Sequence, residues 1–167
     1  IVSLDLLSPT VLRARLRTQE PFAYRAGQYV VLRRPDGLAR SYSLASLPEE
    51  SALELHIRRA PFGKMSGWLF EQAAANDKVA LRGPAGDCFY TAGNAQQPLL
   101  LAGTGTGLAP LAGILKDALQ QGHNGPIHLF HGAMRPEGLY LREELRALSD
   151  RHANVTYTPV VMEGGET

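Results

Sequence analysis

The sequence predicts two units: a six-stranded antiparallel β-barrel over residues 1–93, then an α/β unit with a parallel sheet over residues 98–167 that stops before it is complete. Three observations predict this. Short apolar–polar alternations separated by turn residues fill the first half of the chain. From Leu99 the pattern changes to strand, helix, strand, helix, strand, the rhythm of a parallel sheet. Between the two lies Thr91–Pro98, TAGNAQQP, which is small, polar and closed by a proline.

Each element follows from its local pattern. Val11–Arg17 alternates apolar with charged residues, as a half-buried strand does. Gln28–Arg34 is a second strand, closed by the turn sequence Pro35-Asp36-Gly37. Arg40–Ala45 is a third, stopped by Pro48, and Leu53–Arg58 is a fourth with period-two alternation. Lys78–Leu81 and Asp87–Thr91 complete the set, with Gly83-Pro84-Ala85-Gly86 as the turn between them. A short helix spans Ser66–Ala73, with Ser66 placed as its N-cap. In the second unit Leu99–Ala102 is a strand, and Leu108–Gln121 is a helix with Leu111, Ile114, Leu115, Ala118 and Leu119 on one face. Ile127–His131 is the next strand, Leu139–Leu148 a helix rich in Glu and Arg, and Val155–Val161 the third strand.

Composition narrows the function classes. Hydrophobic residues make up 44% and charged residues 20%, enough for a real core. A net charge of +1 gives no electrostatic drive toward nucleic acid. No apolar run reaches the ~20 residues of a membrane span. Cys88 is the single cysteine, which excludes a disulfide framework and a four-cysteine iron–sulfur cluster within these residues and fits a reducing cytoplasm. It reads as a small hydrophobe buried in a strand. The histidines lack metal-ligand spacing, so no metal is expected. The chain opens on Ile1, already strand-like, and closes on the polar GGET, so both ends read as cuts.

Three stretches carry chemistry. Gly103-Thr104-Gly105-Thr106-Gly107 follows a strand and opens a helix, which places free backbone N–H groups at a positive helix end, where a phosphate binds. The spacing is not the Rossmann fingerprint, which would want a glycine at Leu108, nor a Walker loop, since no Lys-Ser/Thr follows. The plain alternative is a tight turn without a ligand. Arg40-Ser41-Tyr42-Ser43 puts a cation and an aromatic on one side of a strand, where arginine can clamp a phosphate and tyrosine can stack on a flat heterocycle. The alternative is a surface charge beside a core aromatic. Gly63-Lys64-Met65-Ser66 leads into a second helix N-terminus, a further phosphate candidate or merely a cap.

Together and in this order, the three sites resemble the ferredoxin–NADP reductase superfamily. RSYS at 40–43 is similar to its Arg-x-Tyr-Ser/Thr flavin motif, GKMS at 63–66 to its Gly-x-x-Ser motif, and GTGTGLAP at 103–110 to its nicotinamide-nucleotide motif. Ala26-Gly27-Gln28-Tyr29 and Gly83-Pro84 support the match, and LYLREEL at 139–145 resembles reductase components of bacterial aromatic-ring oxygenases. The resemblance implies that Arg40 and Ser41 help hold FAD, that Tyr42 packs on the isoalloxazine and that Ser43 approaches flavin N5. His56, Ile57 and Arg58 would line the flavin edge, and Gly63, Lys64, Met65 and Ser66 would hold the pyrophosphate. Gly103, Thr104, Gly105, Thr106, Gly107 and Pro110 would hold NAD(P)H, with NADH favoured. Tyr42 and Ser43 are the expected catalytic residues.

The implied activity is electron transfer from NAD(P)H through FAD to a one-electron protein acceptor, such as an iron–sulfur domain or an oxygenase. The alternatives are a flavin reductase acting on small acceptors and a non-catalytic flavin-binding electron-transfer subunit. Two departures stand out. The family's later Cys-Gly-Pro segment does not occur by Thr167, and no acidic residue directly ends the second strand of the nucleotide unit, where Met134 and Arg135 stand.

Overall fold

The computed structural model describes residues 1–163. Six antiparallel strands build the first half as two three-stranded sheets. In one, β2 (Val11–Leu16) lies between β1 (Ser3–Ser8) and β5 (Leu53–Arg58); in the other, β3 (Tyr29–Arg33) lies between β4 (Ala39–Ser43) and β6 (Ala80–Ala85). A lone bridge from Leu44 to Leu55 joins them. Alternation turns Leu12, Ala14 and Leu16 of β2 inward to meet Val30, Leu32, Leu55 and Ile57. Helix α1 (Lys64–Glu71) adds Met65 and Leu69 to this core. In the second half, β7 (Leu99–Thr104), β8 (Ile127–Ala133) and β9 (Val155–Val161) form a parallel sheet in that order. Helices α2 (Leu108–Gln120) and α3 (Arg142–Arg151) complete it, with Leu108, Ile114, Leu115, Ala118 and Leu145 in its core.

The strand count matches expectation, but its membership differs. Residues 3–8 form the first strand, and 87–91 form none. Arg25 pulls that segment out of the sheet: its guanidinium lies 3.7 Å from the centre of the Phe89 ring and donates to the Tyr90 carbonyl at 2.5 Å. Tyr90 is then buried in the second core, its hydroxyl 3.1 Å from His123 Nδ1. Cys88, expected in a buried strand, is exposed in this loop. The expected turn at Gly83-Pro84 lies inside β6, where the pairing with β3 slips between Tyr29 and Val31 and Gly83 takes a φ of +141°.

Further corrections concern the helices and β8. Helix α1 starts at Lys64 with Gly63 as its cap, so Ser66 sits inside its first turn. Leu141, at φ +59°, breaks the chain before α3, so that helix begins three residues later than the periodicity suggests, while Leu139 and Tyr140 are buried as a plug ahead of it. His131, expected at a strand end, lies within β8 and is fully buried. The GGET end, read as a cut, lies outside the described residues.

The outward face of β2 and β5 is not solvated, because the second half covers it. Val11 joins the second core. Glu54 and His56 are only 5% and 4% exposed although they alternate with the inward residues of β5. His56 Nε2 lies 2.9 Å from Glu54 Oε1, and its Nδ1 lies 3.2 Å from the Tyr140 hydroxyl. Arg15 Nε reaches Glu54 Oε2 at 3.2 Å. Arg13 Nε stands 3.3 Å from Glu54 Oε1, close enough for charge attraction but misaligned for a hydrogen bond, while its Nη2 reaches Glu144 on α3 at 3.3 Å. Burial opposes the Glu54 charge, yet the His56 hydrogen bond and the Arg13 charge outweigh it and hold the carboxyl down at about 2. Burial alone brings His131, edge-on to Tyr140, down to about 4.

Both groups have folded pKa values below their ordinary ones, so each stabilises the fold fully above its ordinary value and loses that contribution as pH falls. Urea unfolding at a series of pH values should show stability declining from 6.5 to 4 through His131 and from 4.5 to 2 through Glu54. His131→Gln should flatten the upper stage. Glu54→Gln should flatten the lower one and cost about 1.5–3 kcal/mol near neutrality, because it removes the charged acceptor that His56 and Arg15 share.

Candidate functional site: a glycine-lined cleft between the two halves

The parallel strands end at a common edge. There β7 runs through Gly103 and Thr104, passes a single 3₁₀ turn at Gly105–Gly107, and enters α2 at Leu108. Gly105 takes a φ of +51°, which a glycine adopts without the steric cost of a Cβ. Added Cβ atoms at Gly105 and Gly107 would meet nothing within 4 Å, so these positions face open space. Gly103 differs. A Cβ there would come within 2.8 Å of Leu111 Cδ1, so this glycine lets α2 close on its strand. Free N–H groups at a helix head, beside backbone that a ligand can approach, suit a phosphate.

This cradle forms one wall of a cleft of about 750 Å³. Gly132–Arg135 from the end of β8 and Val160 and Met162 from the end of β9 form another. Thr10, Val11 and Arg58 close it from the first half. The carboxyl ends of parallel strands are where open α/β sheets bind ligands. Of the residues expected at the flavin edge, Arg58 is therefore brought to the cradle. The His56 side chain instead enters the buried Glu54–Tyr140 cluster, and Ile57 is fully buried in the first core. Pro110 lies in the first turn of α2. Beyond Met134, Arg135 Nε is 3.4 Å from Glu163 Oε2.

The first-half motifs sit on β4 and at the head of α1. Arg40 and Tyr42 share one face of β4, and Ser41 and Ser43 the other. Arg40 is exposed; its Nη1 donates to the Ala39 carbonyl at 2.7 Å, and no carboxylate pairs with it among the described residues. Tyr42 packs against the core, and burial, eased slightly by the Arg40 charge, raises its hydroxyl to about 12, so it stays protonated at neutral pH. Ser43 is half-buried opposite Tyr29, an exposed aromatic.

The loop before α1 is tightly fixed. Ser66 Oγ donates to the Gly63 carbonyl at 3.2 Å and accepts from the Ala60 N–H at 3.1 Å. A Cβ at Gly63 would lie 2.5 Å from that same Oγ. The first residues of α1 follow, Lys64 exposed and Met65 buried. An unpaired guanidinium on β4, a helix head and an open glycine turn are chemically suited to the phosphates of two nucleotides.

Sequence reasoning passed over Phe62. It is fully exposed and holds a φ of +58°, a left-handed conformation unusual for an aromatic residue. No periodic signal marks a strained single residue, although its place before Gly63 was a cue.

With this geometry in hand, comparison with known proteins defines the class. Residues 1–90 match the oxidoreductase FAD-binding domain and residues 101–167 the oxidoreductase NAD-binding domain. The chain belongs to the ferredoxin–NADP reductase superfamily and has its fold. It is 34% identical over 164 residues to the ferredoxin–NAD(P)(+) reductase component of the naphthalene 1,2-dioxygenase system of Pseudomonas putida, covering 98% of this chain and 50% of that one. It is 33% identical to a probable flavin reductase of Vibrio harveyi, covering 96% and 70%. An Amycolatopsis cytochrome P450 reductase superposes with a TM-score of 0.88 at 37% identity, covering 96% and 50%. The chain thus spans about half the length of the first curated relatives it matches.

Phe62→Gly removes the left-handed strain of roughly 1–2 kcal/mol and adds a backbone-entropy cost of about 0.5–1 kcal/mol. The expected net gain is about 0–1.5 kcal/mol, a rise of up to roughly 6 °C in thermal midpoint. Differential scanning calorimetry measures it, and a lower midpoint would show that the Phe62 ring makes a stabilising contact.

Proposed function

We propose that this chain is the FAD- and nucleotide-binding part of an NAD(P)H-dependent reductase that delivers electrons to a one-electron protein acceptor, an iron–sulfur domain or an oxygenase. The observation that carries the reading is the shared cleft, in which Arg58 of the first half stands with Thr104, Gly105 and Thr106 of the nucleotide cradle. The division into 1–93 and 98–167 belongs to this reading, with the polar stretch after Tyr90 as the joint. Among the described residues no helix is long and apolar enough to cross a membrane. We place the protein in the cytoplasm, consistent with its single exposed thiol.

Held by the β4 and α1 motifs, FAD would supply an acceptor for the hydride of NAD(P)H and a donor of single electrons to the acceptor protein. The protein's own part is to hold and orient. Arg40 supplies an unpaired guanidinium for a flavin phosphate, and Ser41 flanks it. Tyr42 offers a fixed aromatic face, and Ser43 a hydroxyl at the strand end. Lys64, Met65 and Ser66 present backbone N–H groups at the head of α1 to the pyrophosphate, while Gly63 caps the helix with its own N–H bonded to the Ala60 carbonyl at 3.0 Å. At the end of β5 Arg58 faces the cleft, with His56 and Ile57 buried behind it. Gly103 to Gly107, with Pro110 fixing the first turn of α2, receive the dinucleotide. Of the two nicotinamide nucleotides, the likeness to oxygenase reductase components favours NADH.

Purified protein loaded with FAD should be yellow, and anaerobic NADH should bleach it. Protein that retains no FAD would overturn the reading. Flavin binding without bleaching by NADH or NADPH would support a non-catalytic subunit, and reoxidation by free flavin alone would support a flavin reductase. Arg40→Ala should weaken FAD binding by about 1.5–3 kcal/mol, measured by flavin fluorescence. Ser43→Ala should slow flavin reduction in stopped flow with FAD affinity unchanged; a loss of affinity alone would make Ser43 structural.

A further inference from the structure

The same helix that heads the nucleotide cradle is seated directly on the backbone beside the β4 motif. Gly113 of α2 makes that seat. A Cβ at Gly113 would lie 3.0 Å from the Leu44 carbonyl oxygen, 3.3 Å from Ala26 Cβ and 3.3 Å from the Gly27 nitrogen. Leu44 follows Ser43 directly. The contact is reciprocal. A Cβ at Gly27, which holds a φ of +96°, would fall 2.7 Å from Ile114 Cγ1 and 2.4 Å from the Cys88 carbonyl oxygen. Two glycines therefore let a helix and a strand end meet at backbone distance.

The seat cannot yield easily. Gly27 donates its N–H to the Leu44 carbonyl at 3.2 Å, and Leu44 donates its own to the Gln28 carbonyl at 2.7 Å. The oxygen that faces Gly113 is thus anchored in a backbone network rather than at the end of a flexible side chain. Gly113 lies six positions beyond Gly107, about 9 Å along the axis. A rigid rod of that length transmits any displacement at the seat to the cradle. Glycine inside a helix is intrinsically unfavourable, so its place here needs a packing reason, and the backbone approach supplies one.

We propose that Gly113 is a positioning residue: its lack of a side chain sets how closely the nucleotide cradle stands to the Arg40–Ser43 motif, and so the efficiency of hydride transfer between the two nucleotides those motifs hold. This inference rests on the reductase reading above. It does not require Gly113 to touch either nucleotide.

The test uses the FAD-loaded protein at its full natural length. In Gly113→Ala the added methyl should force the seat apart by a few tenths of an ångström. Since misplacement of about 1 Å can cost 10²-fold, flavin reduction at saturating NADH should slow about tenfold. FAD affinity, read by fluorescence, should stay within about twofold, because the flavin motifs are untouched. Amide exchange across residues 26–45 should quicken, and this readout is independent of turnover. Ile114→Val loosens the same seat without adding bulk and should slow reduction about two- to threefold.

A purely structural role predicts the opposite pattern. Alanine's better helix propensity would raise the thermal midpoint while the rate and the exchange stayed unchanged, and that result overturns the proposal. Unchanged rates in both variants overturn it as well. Failure of NADH and NADPH to reduce the unaltered protein is seen before any substitution and overturns the reductase reading itself.

Discussion

A carboxylate buried beneath a second unit must be neutralised by its neighbours, and Glu54 shows how this constrains the molecule. It is 5% exposed, yet burial does not keep it protonated, because His56, Arg13 and Arg15 surround it. Those partners are themselves committed. His56 also meets the Tyr140 hydroxyl, and Arg13 also meets Glu144, both from the second half. An unmatched buried charge costs several kcal/mol, so separating the halves would expose a network that is complete only when they are together. The relative placement of the two halves is therefore tied to the partners of one charge on β5.

That strand also ends at the cleft. Two residues beyond His56, the alternation of β5 brings Arg58 out to the cradle of Thr104–Thr106. Rigidity at the buried end thus governs position at the open end. The linker adds a second tie: Arg25 grips Phe89 and the Tyr90 carbonyl, while the Tyr90 side chain is buried in the second core. The proposed hydride transfer would require reacting atoms held at near-contact distance, and for it ties of this kind matter more than the strength of any one contact.

How much of this was legible in the sequence depended on whether the cause was local. Leu53–Arg58 and Val155–Val161 matched their strands end to end, because period-two alternation is a local signal. The cradle was legible because glycine spacing and a helix start lie within a few residues of each other. Residues 87–91 were misread because a contact from distant Arg25 removes them from the sheet. The helix over 139–148 was misplaced because Leu141 turns left-handed to bury Leu139 and Tyr140, which no helical periodicity reveals. His56 read as a site residue, and Arg13 as part of a half-buried strand's charged face. Their burial comes from a partner surface more than eighty positions along the chain.

The glycines divide by what they face. Gly105 and Gly107 look onto open space, where a side chain would meet no protein atom. Gly103, Gly27 and Gly113 look onto protein, where a side chain would strike Leu111, Ile114 or the Leu44 carbonyl. The first kind leaves room for a ligand, and the second determines where that room lies. A cradle formed only by the first kind would bind a phosphate at no defined distance from β4. Because α2 carries one kind at its head and the other at its middle, the same helix opens the turn at Gly105–Gly107 and fixes how far that turn stands from β4.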